Sequence, residues 1–516
     1  MAVAHGAHRV VRVFTVEQGN DMYKLSGLDA GFLYNETERC PQHVSSVQIM
    51  ELPEGVDEDT FIDGLKALFQ SRLHLVPYLT NRLVETPFLA DHPVWVRDTE
   101  FDIDRHIYRR DVPAPGGRAE LEAAVAAIHE ERLDRRRPLW RTVVLCGLED
   151  GRIAYYSGAH HACLDGMAGQ AATMTLMDNT EEPREVAPPA ADFLTPNQPS
   201  LTDLFVAAWE NITAFQIRQV AGALDNVETA IRLQRRMLDP NAGFGAMAEQ
   251  APWTRFNAPV ERGRGYAIAE MDLAAVKAAG KRHGAKLNDV FLAICGGGLR
   301  RYLGRTGELP ERSLIAGCPV SLRKPGDASM NNQVTMMQVR LGTDQPDPTA
   351  RIQTILESSA IAKDVTADLA GVFESDPAAW GMPLAMRAAA SVMEVGGTAN
   401  AMPPAFNVVV SNVPGPRETL YSNGARMLTH YPVSIPAHGL GVNITVQSYV
   451  DTLYVGITAC AKALPDAGTL RDDLVAEYEA LCGAFFEKEA SPALADPTPL
   501  PVVRRKPVEM PPAEAA

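Results

Sequence analysis

The stretch AHHACLDGM concentrates side chains that can do chemistry. His160 and His161 are adjacent, Cys163 follows closely, and Asp165 and Gly166 complete an HHxxxDG pattern. An imidazole can act as a general base, a thiolate can act as a nucleophile, and imidazoles with carboxylates can bind a metal ion. The elements around this stretch must distinguish these chemistries from a purely structural role.

The histidine pair is predicted to end a β-strand. Residues 141–148 and 153–161 have the composition of two strands, and Asp150 and Gly151 between them are typical of a tight turn. Successive residues of a strand point to opposite faces, so the two imidazoles cannot both line one pocket, and one of them should be structural. This geometry disfavours a metal site, and the chain has neither an HExxH motif nor Cys and His at zinc-finger spacing.

The remaining chemistries make different demands on this segment. A nucleophilic Cys163 needs a site that stabilises its thiolate, and the local sequence shows nothing specific for that purpose. A neutral histidine that faces a cleft can instead remove a proton from an alcohol or amine while it attacks a thioester. The Asp165 carboxylate can fix a turn or pair with a distant arginine, and Gly166 lets the backbone bend close to the base. The metal, thiol, general-base and structural hypotheses all stay open on these residues alone.

Composition restricts the classes of protein and partner. The chain has 516 residues, of which 46% are hydrophobic and 22% charged, which predicts a folded soluble protein of two domains of roughly 200 residues each. The N-terminal segment lacks a continuous apolar core, so we predict a cytoplasmic location. The net charge of −16 argues against nucleic acid as a partner. Seven scattered cysteines, an odd number without CxxC spacing, are typical of reduced thiols.

Periodicity and composition predict how the chain is organised. A segment rich in Pro, Ala and acidic residues begins near 181, and the second half mixes helices with strands rich in β-branched residues, which indicates an α/β fold. Helices are predicted over 118–134, after Gly166, from 201 to about 238 behind a Ser200/Asp203 capping box, over 274–283, and from Asn288 onward. Strands are predicted over 265–273, 405–412, 440–449 and 452–460. We therefore predict an N-terminal half at 1–180, a linker with a long helix at 181–255, a C-terminal half at 256–487 and a disordered Pro-rich tail at 488–516.

The motif HHACLDG also resembles a known one. It is similar to the HHxxxDG motif of the bacterial wax ester synthase/acyl-CoA:diacylglycerol acyltransferases, which belong to the superfamily of chloramphenicol acetyltransferase-like and condensation-domain enzymes. HHxxxDG alone would fit any member of that superfamily, but its combination with PLW, ND and SNVPGP is more specific to the lipid acyltransferases. The matching segments, which together span about 25–485, are LSGLDAGFLYNET (25–37), LDRRRPLW (133–140), NDVFLAICGGGLRRYL (288–303), PVSLR (319–323), NNQVTMM (331–337), NVVVSNVPGP (407–416) and GLGVNITVQSY (439–449).

The resemblance implies a fold and a reaction. The expected fold is α/β, with two chloramphenicol acetyltransferase-like halves of mixed sheets and helices and one active site between them. The implied reaction moves a long-chain acyl group from acyl-CoA to diacylglycerol, giving triacylglycerol, or to a fatty alcohol, giving a wax ester. Acyl-CoA is then a substrate, no cofactor or metal is needed, and greasy substrates predict a peripheral contact with a membrane or lipid-droplet surface.

The resemblance also implies roles for individual residues. His161 would be the general base and His160 would support the site, while Asp165, beside Gly166, would be architectural. The distant arginine that pairs with this carboxylate is expected to be Arg323 of PVSLR. Asn288 and Asp289 match the ND pair of the family, although an N-cap at a helix start favours the same residues.

One position departs from the family pattern, because Asn331 stands where the commoner motif GNQ has glycine. Two further hypotheses accompany the acyltransferase. One is a lipid-binding homologue that has lost turnover, and the other is a condensation-type enzyme that acts on carrier-bound acyl groups. The first would bind acyl-CoA without releasing coenzyme A, and the second would depend on a carrier protein.

Overall fold

The computed structural model describes residues 22–190, 198–221, 249–323, 332–369, 382–396 and 403–483, with isolated positions between them. The predicted tail at 488–516 and Asn331 lie outside the described residues. The first 21 residues of the predicted long helix form a helix over Leu201–Ala221. Most of the rest of that predicted helix also lies outside the described residues. Ser200 and Asp203 form the predicted capping box at its start, with the Asp203 amide donating to Ser200 Oγ at 3.2 Å.

The described elements alternate strands and helices along the chain. The helices are α1 Gly27–Asn35, α2 Glu58–Arg72, α3 Arg118–Glu130, α4 Gly166–Leu176, α5 Leu201–Ala221, α6 Leu273–His283, α7 Leu287–Thr306, α8 Pro348–Leu369, α9 Met382–Gly396 and α10 Ala467–Cys482. The strands are β1 Met22–Lys24, β2 His43–Glu51, β3 Asn81–Val84, β4 Val94–Arg97, β5 Ile107–Asp111, β6 Trp140–Cys146, β7 Ile153–His160, β8 Arg264–Asp272, β9 Ile315–Ser321, β10 Val334–Arg340, β11 Val408–Val413, β12 Tyr421–Ser422, β13 Ala425–Met427, β14 Tyr431–Val433, β15 Val442–Tyr449 and β16 Thr452–Cys460.

A seven-stranded sheet carries the histidine motif. Its order is β12-β13-β2-β7-β6-β5, with β14 also paired to β2. Strands β6 and β7 form the predicted antiparallel hairpin, and Gly151 in its turn has φ +75°, a left-handed conformation that glycine adopts without strain. Strand β7 ends at His160, as the pattern predicts.

The second sheet has six strands in the order β10-β9-β11-β15-β16-β8. Parallel pairing of β11 with β9 and β15 makes it mixed, and β15 and β16 form the predicted hairpin around Asp451. Helices pack on both sheets, so the predicted α/β class with mixed sheets is confirmed. Helix α3 is shorter than predicted because Glu131 turns out of the helix and pairs with Arg110 at 2.8 Å.

Three strands of the C-terminal half join the sheet of the N-terminal half, an arrangement that we call the strand exchange. Strands β12, β13 and β14 come from the C-terminal half but hydrogen-bond into the first sheet, where Met427 pairs with Met50 and Pro432 with Ser46. Local spacing could not predict this exchange, because the paired strands lie almost 400 residues apart in the sequence. For example, the Ile49 amide donates to Thr429 Oγ1 across 380 positions of the chain. The exchange fixes the second half to the sheet that carries the histidines.

A buried ion pair anchors the far end of α4. Arg72 at the end of α2 donates from Nη2 to both carboxylate oxygens of Asp178, at 2.9 and 2.8 Å, and both side chains are almost fully buried. Asp178 also pairs through its backbone with Tyr421 of β12. The pair therefore joins α2, the segment after α4 and the exchanged strands.

We predict that Arg72→Ala destabilises the protein by ~3–5 kcal/mol, because it leaves the Asp178 carboxylate buried beside only the partly exposed Arg184. The apolar double variant Arg72→Met/Asp178→Leu should recover most of this loss. Thermal unfolding followed by circular dichroism measures both. A single variant with an unchanged melting temperature would contradict the prediction.

Candidate active site

The turn after β7 fixes the histidine pair by its backbone. The His160 amide donates to the Leu139 carbonyl at 2.9 Å, and the His161 amide donates to the Gln42 carbonyl at 2.8 Å. The Cys163 amide then closes the turn on the His160 carbonyl, also at 2.9 Å. The two imidazoles point to different surroundings, as strand alternation predicts.

His160 faces the protein interior. Its Nε2 lies 3.2 Å from Glu36 Oε2, and both side chains are fully buried. The Ala162 amide donates to its Nδ1 at 3.1 Å, which occupies the second ring nitrogen. Burial lowers the pKa of His160, and Glu36 partly offsets that effect. His160 therefore lies in a closed network and away from substrate.

Glu36 is a residue of this network that the sequence did not single out. Burial raises the pKa of its carboxyl, but the hydrogen bond and charge of His160 and the charges of Arg135 and Arg132 outweigh burial and bring the pKa to about 2. The two arginines approach Glu36 Oε1 at 3.0 and 3.3 Å. Arg132 and Arg135 are thus engaged in an internal ion-pair network with Glu36. Glu36 lies within the segment 25–37 that carries the family resemblance, and this was the only indication in the sequence that it has a role.

His161 faces a cavity instead. Its ring stacks on Phe32 of α1 with centroids 4.0 Å apart and planes 4° apart, and it forms part of the cavity wall. Burial lowers the pKa of His161 to about 4, with smaller effects from its own carbonyl, His160 and Asp165. The imidazole is therefore neutral at pH 7. Its Nδ1 is buried, which leaves Nε2 as the nitrogen for a ligand in the cavity.

Asp165 joins the two sheets. Its Oδ1 accepts from the Ala168 amide at 2.9 Å and caps α4, while its Oδ2 accepts from Arg323 Nη2 at 2.7 Å. The Gln333 amide also donates to Oδ2 at 3.3 Å. Arg323 follows β9, so the structure contains the pair that was expected between Asp165 and Arg323, with both side chains largely buried.

A second link between the halves involves two residues without a predicted role. The Asn332 amide and its side-chain Nδ2 donate to Asp29 Oδ1 at 2.8 and 2.6 Å, and the same Nδ2 donates to the His161 carbonyl at 2.6 Å. Burial raises the pKa of Asp29, and the hydrogen bonds from Asn332 and Ser26 oppose it. Both residues lie in segments that carried the family resemblance. Their contacts span 303 positions of the chain, which no local pattern encodes.

Gly166 begins α4 on the cavity wall. A methyl group at this position would lie 3.2 Å from Val413 Cγ2, so the glycine allows close approach of α4 to β11. Asn288 and Asp289 begin α7 and do not line the cavity. Asp289 Oδ2 accepts from the Lys286 amide at 3.0 Å, which is a capping role, and Asn288 contacts Asn412 of the cavity wall at 3.5 Å.

The cavity lies between the two sheets and has a volume of about 610 Å³. The first sheet contributes β2 and β7, the second contributes β9, β10, β11 and β15, and α4 forms a further wall. Apolar wall residues include Phe69, Leu164, Leu176, Val334, Met336 and Val409. A space of this size and lining suits a hydrocarbon chain.

The thiols and carboxylates offer no alternative centre. All seven cysteines are buried free thiols, as predicted. Burial raises the pKa of Cys163 far above its ordinary value, so its thiol is neutral at pH 7 and unsuited to nucleophilic attack. Among the residues that the structure describes, no group of three or more His, Cys, Asp or Glu side chains could hold a metal ion.

Comparison with protein families identifies two matching models. The wax ester synthase/diacylglycerol acyltransferase catalytic domain matches residues 25–291, and the C-terminal domain of the same family matches residues 330–482. The Acinetobacter baylyi O-acyltransferase WSD is 31% identical over 482 residues, which cover 91% of this chain and 99% of that protein. A Mycobacterium tuberculosis H37Rv protein, named as a candidate diacylglycerol O-acyltransferase, is 34% identical over 448 residues, covering 86% of this chain and 95% of that protein.

Solved structures agree with the family assignment. The wax ester synthase/diacylglycerol acyltransferase from Marinobacter aquaeolei VT8 matches with a TM-score of 0.63 and 26% identity over 89% of this chain and 100% of that chain. The first condensation domain of the CDA synthetase matches with a TM-score of 0.53 and 15% identity over 90% of this chain and 97% of that chain, a likeness of fold alone. The expected fold is therefore confirmed. The chain belongs to the wax ester synthase/diacylglycerol acyltransferase family, and it is an acyltransferase enzyme.

Proposed function

We propose that the protein transfers a long-chain acyl group from acyl-CoA to the hydroxyl of diacylglycerol or of a long-chain alcohol, with His161 as the general base. The observation that carries this proposal is a neutral imidazole on the wall of the cavity between the two sheets. The names of the Acinetobacter and Marinobacter relatives support ester formation on these acceptors.

The proposed step needs only one correctly placed base. His161 Nε2 accepts the hydroxyl proton while the alcohol oxygen attacks the thioester carbonyl carbon. The new C–O bond forms, the tetrahedral intermediate collapses with loss of the C–S bond, and the leaving thiolate takes the proton from the imidazolium. The products are the ester and coenzyme A, and the imidazole is neutral again. Acyl-CoA enters as a substrate, and the step uses no cofactor and no acyl-enzyme.

The surrounding residues act as positioning groups in this proposal. Asp165 and Arg323 hold the start of α4 against β9, and Asn332 holds the His161 carbonyl. His160 and Glu36 fix the other side of the same turn. A general base works only when it lies within hydrogen-bond reach of the proton that it removes, so a shift of the turn would reduce the rate.

The structure offers less support for the two other hypotheses. A binding protein that had lost turnover would not need a neutral imidazole at the cavity, yet His161 and its supporting contacts are intact. A carrier-dependent enzyme shares the fold, but the relatives that match the chain over most of its length bear acyltransferase names. Turnover of free acyl-CoA without any carrier protein separates these hypotheses from the proposed function.

We further propose that an exposed apolar patch contacts a lipid surface. The patch consists of Phe88, Phe205, Val206 and Trp209, and the Phe88 side chain is 96% exposed. Asn211 of α5 donates to Asp91 at 2.8 Å, which holds the helix beside the turn that carries Phe88. Aromatic and aliphatic side chains at such a surface insert readily at the interface of a bilayer. In the described part of the chain, no helix has the length and apolarity that crossing a membrane requires.

We predict that His161→Ala lowers acyl transfer by about 10²–10⁴-fold, because the base that accepts the hydroxyl proton is lost. Release of coenzyme A from palmitoyl-CoA is measured with dipalmitoylglycerol and with hexadecanol as separate acceptors. Cys163→Ala serves as the matched control and should retain activity. Full activity of His161→Ala, or loss of activity in the cysteine variant, would exclude the proposed mechanism.

The pH dependence tests the state of the imidazole. Because burial lowers the pKa of His161 to about 4, its basic form persists on acidification, and kcat/KM should stay level from pH 7 to about 5 and fall only below that. Glu36, with a pKa of about 2, stays ionised throughout this range. Ester formation is quantified by mass spectrometry, with thermal stability recorded at each pH. An acid limb near pH 6.5 in stable protein would contradict a lowered pKa of His161.

The lipid contact is tested with neutral and anionic vesicles. Phe88→Ser/Trp209→Ser should weaken cosedimentation severalfold, since each substitution removes apolar surface from the contact. Trp253→Ser is the matched control, because Trp253 is 47% exposed but lies near the second sheet, where Ala251 bonds to Pro404. Raising salt should leave binding unchanged, as a protein with a net charge of −16 gains little from anionic lipid. Release of the protein by salt would refute a hydrophobic contact.

A further inference from the structure

Two strands present polar side chains to each other across the cavity. Ser46 and Gln48 alternate on β2, while Asn443, Thr445 and Gln447 alternate on β15, and all five line the cavity. The inner faces of packed sheets are ordinarily apolar. A cavity that bound only hydrocarbon chains would be expected to have apolar walls. These polar side chains therefore need another explanation.

His430 connects the two rows. Gln447 Nε2 lies 2.7 Å from His430 Nδ1, and Gln48 Nε2 lies 3.3 Å from His430 Nε2. We call these three residues the polar bridge; all of them are almost fully buried. Burial lowers the pKa of His430 to about 3, so its imidazole is neutral at pH 7.

The polar bridge has unused hydrogen-bonding capacity. A neutral imidazole carries one donor and one acceptor nitrogen, so it can pair with one group of each amide and leaves the other polar groups of both amides available. Gln48 also donates from Nε2 to Ser46 Oγ at 3.0 Å, and within the described part of the chain the side chains of Gln48 and Gln447 make no further hydrogen bond to protein beyond those to His430. A saturated chain lying against these groups would leave them unsatisfied, at a cost of roughly 1–3 kcal/mol for each.

Gln48 of the polar bridge lies several residues along β2 from the segment that holds His161. The His161 amide is held by the Gln42 carbonyl. Gln48 lies further along β2 by about 20 Å, at the rise of an antiparallel strand. A long substrate chain that reacts at His161 can span this separation.

We infer that the polar bridge binds an oxygen function, such as a hydroxyl, carried on a substrate chain remote from the reacting group. This inference rests on the proposed acyl transfer and identifies an oxygen-bearing long chain as the preferred substrate class. A hydroxyl matches the site because it can donate to a glutamine Oε1 and accept from an amide or imidazole N–H. The chain can come from either substrate, the acyl-CoA or the alcohol.

The experiment measures a ratio of kcat/KM values, which loss of stability alone does not change. In the first arm, octadecanoyl-CoA is compared with its mid-chain-hydroxylated analogue, with hexadecanol as acceptor. In the second arm, hexadecanol is compared with a mid-chain-hydroxylated long-chain alcohol that keeps the same primary hydroxyl, with octadecanoyl-CoA as donor. The wild type should favour the oxygenated chain by about tenfold in the arm whose substrate reaches the polar bridge.

The variants are Gln447→Met and Gln48→Met, which keep the side-chain length and remove the hydrogen bonds. Each should bring the ratio close to one, because it slows the oxygenated substrate more than the plain one. Met336→Leu, also on the cavity wall, is the control and should keep the wild-type ratio. A wild type without preference in both arms overturns the inference. The inference is also overturned if the Met variants lower both rates equally and leave the ratio unchanged. That result would mean that the polar bridge only holds the two sheets together.

Failure of the proposed function gives a different result. A wild type that converts none of the substrates refutes acyl transfer, and the shift in melting temperature caused by each acyl-CoA and each alcohol then reports binding directly. A larger shift with the oxygenated ligand that is lost in Gln447→Met supports the polar bridge without turnover. Equal shifts with plain and oxygenated ligands overturn it.

Discussion

The ion pair between Asp165 and Arg323 is the contact on which the site depends most. It joins the start of α4, which follows the histidine turn, to the end of β9 in the other sheet, at 2.7 Å and largely out of water. A buried pair of this kind contributes little net stability, but removing one partner leaves an uncompensated charge that costs several kcal/mol. Its value lies in geometry. The Asn332 contacts to Asp29 and to the His161 carbonyl reinforce the same junction, so contacts from both halves fix the turn that carries His161.

Strand alternation gives the two adjacent histidines different environments. His160 points inward to Glu36, whose charge is balanced by arginines nearer the surface. His161 points to the cavity, stacked on Phe32, and burial keeps it neutral. The negative charge of Glu36 is thus compensated by its own partners.

Sequence patterns correctly predicted the structural features that depend on residues close together in the chain. The β6/β7 hairpin, the strand end at His160, the start of α4 and the β15/β16 hairpin all follow from periodicity and turn residues. The resemblance supplied Arg323, which spacing alone could not have assigned. Glu36, Asp29 and Asn332 lay in recognised segments, but their roles depend on partners up to 303 positions away. The exchange of β12–β14 was missed for the same reason, since short strands acquire their partners only from tertiary structure.

The strand exchange explains how a large cavity can persist between two packed sheets. Interiors normally close to a density that leaves few voids larger than a water molecule, and an open space forfeits packing energy. Here the halves are joined by hydrogen bonds, through β13 and β14 to β2, and by the buried ion pair of Asp165 with Arg323, so filling their interface with apolar side chains is not required for their association. His430 lies directly before β14, at the crossing point. The element that holds the halves together therefore also places a polar group inside the cavity.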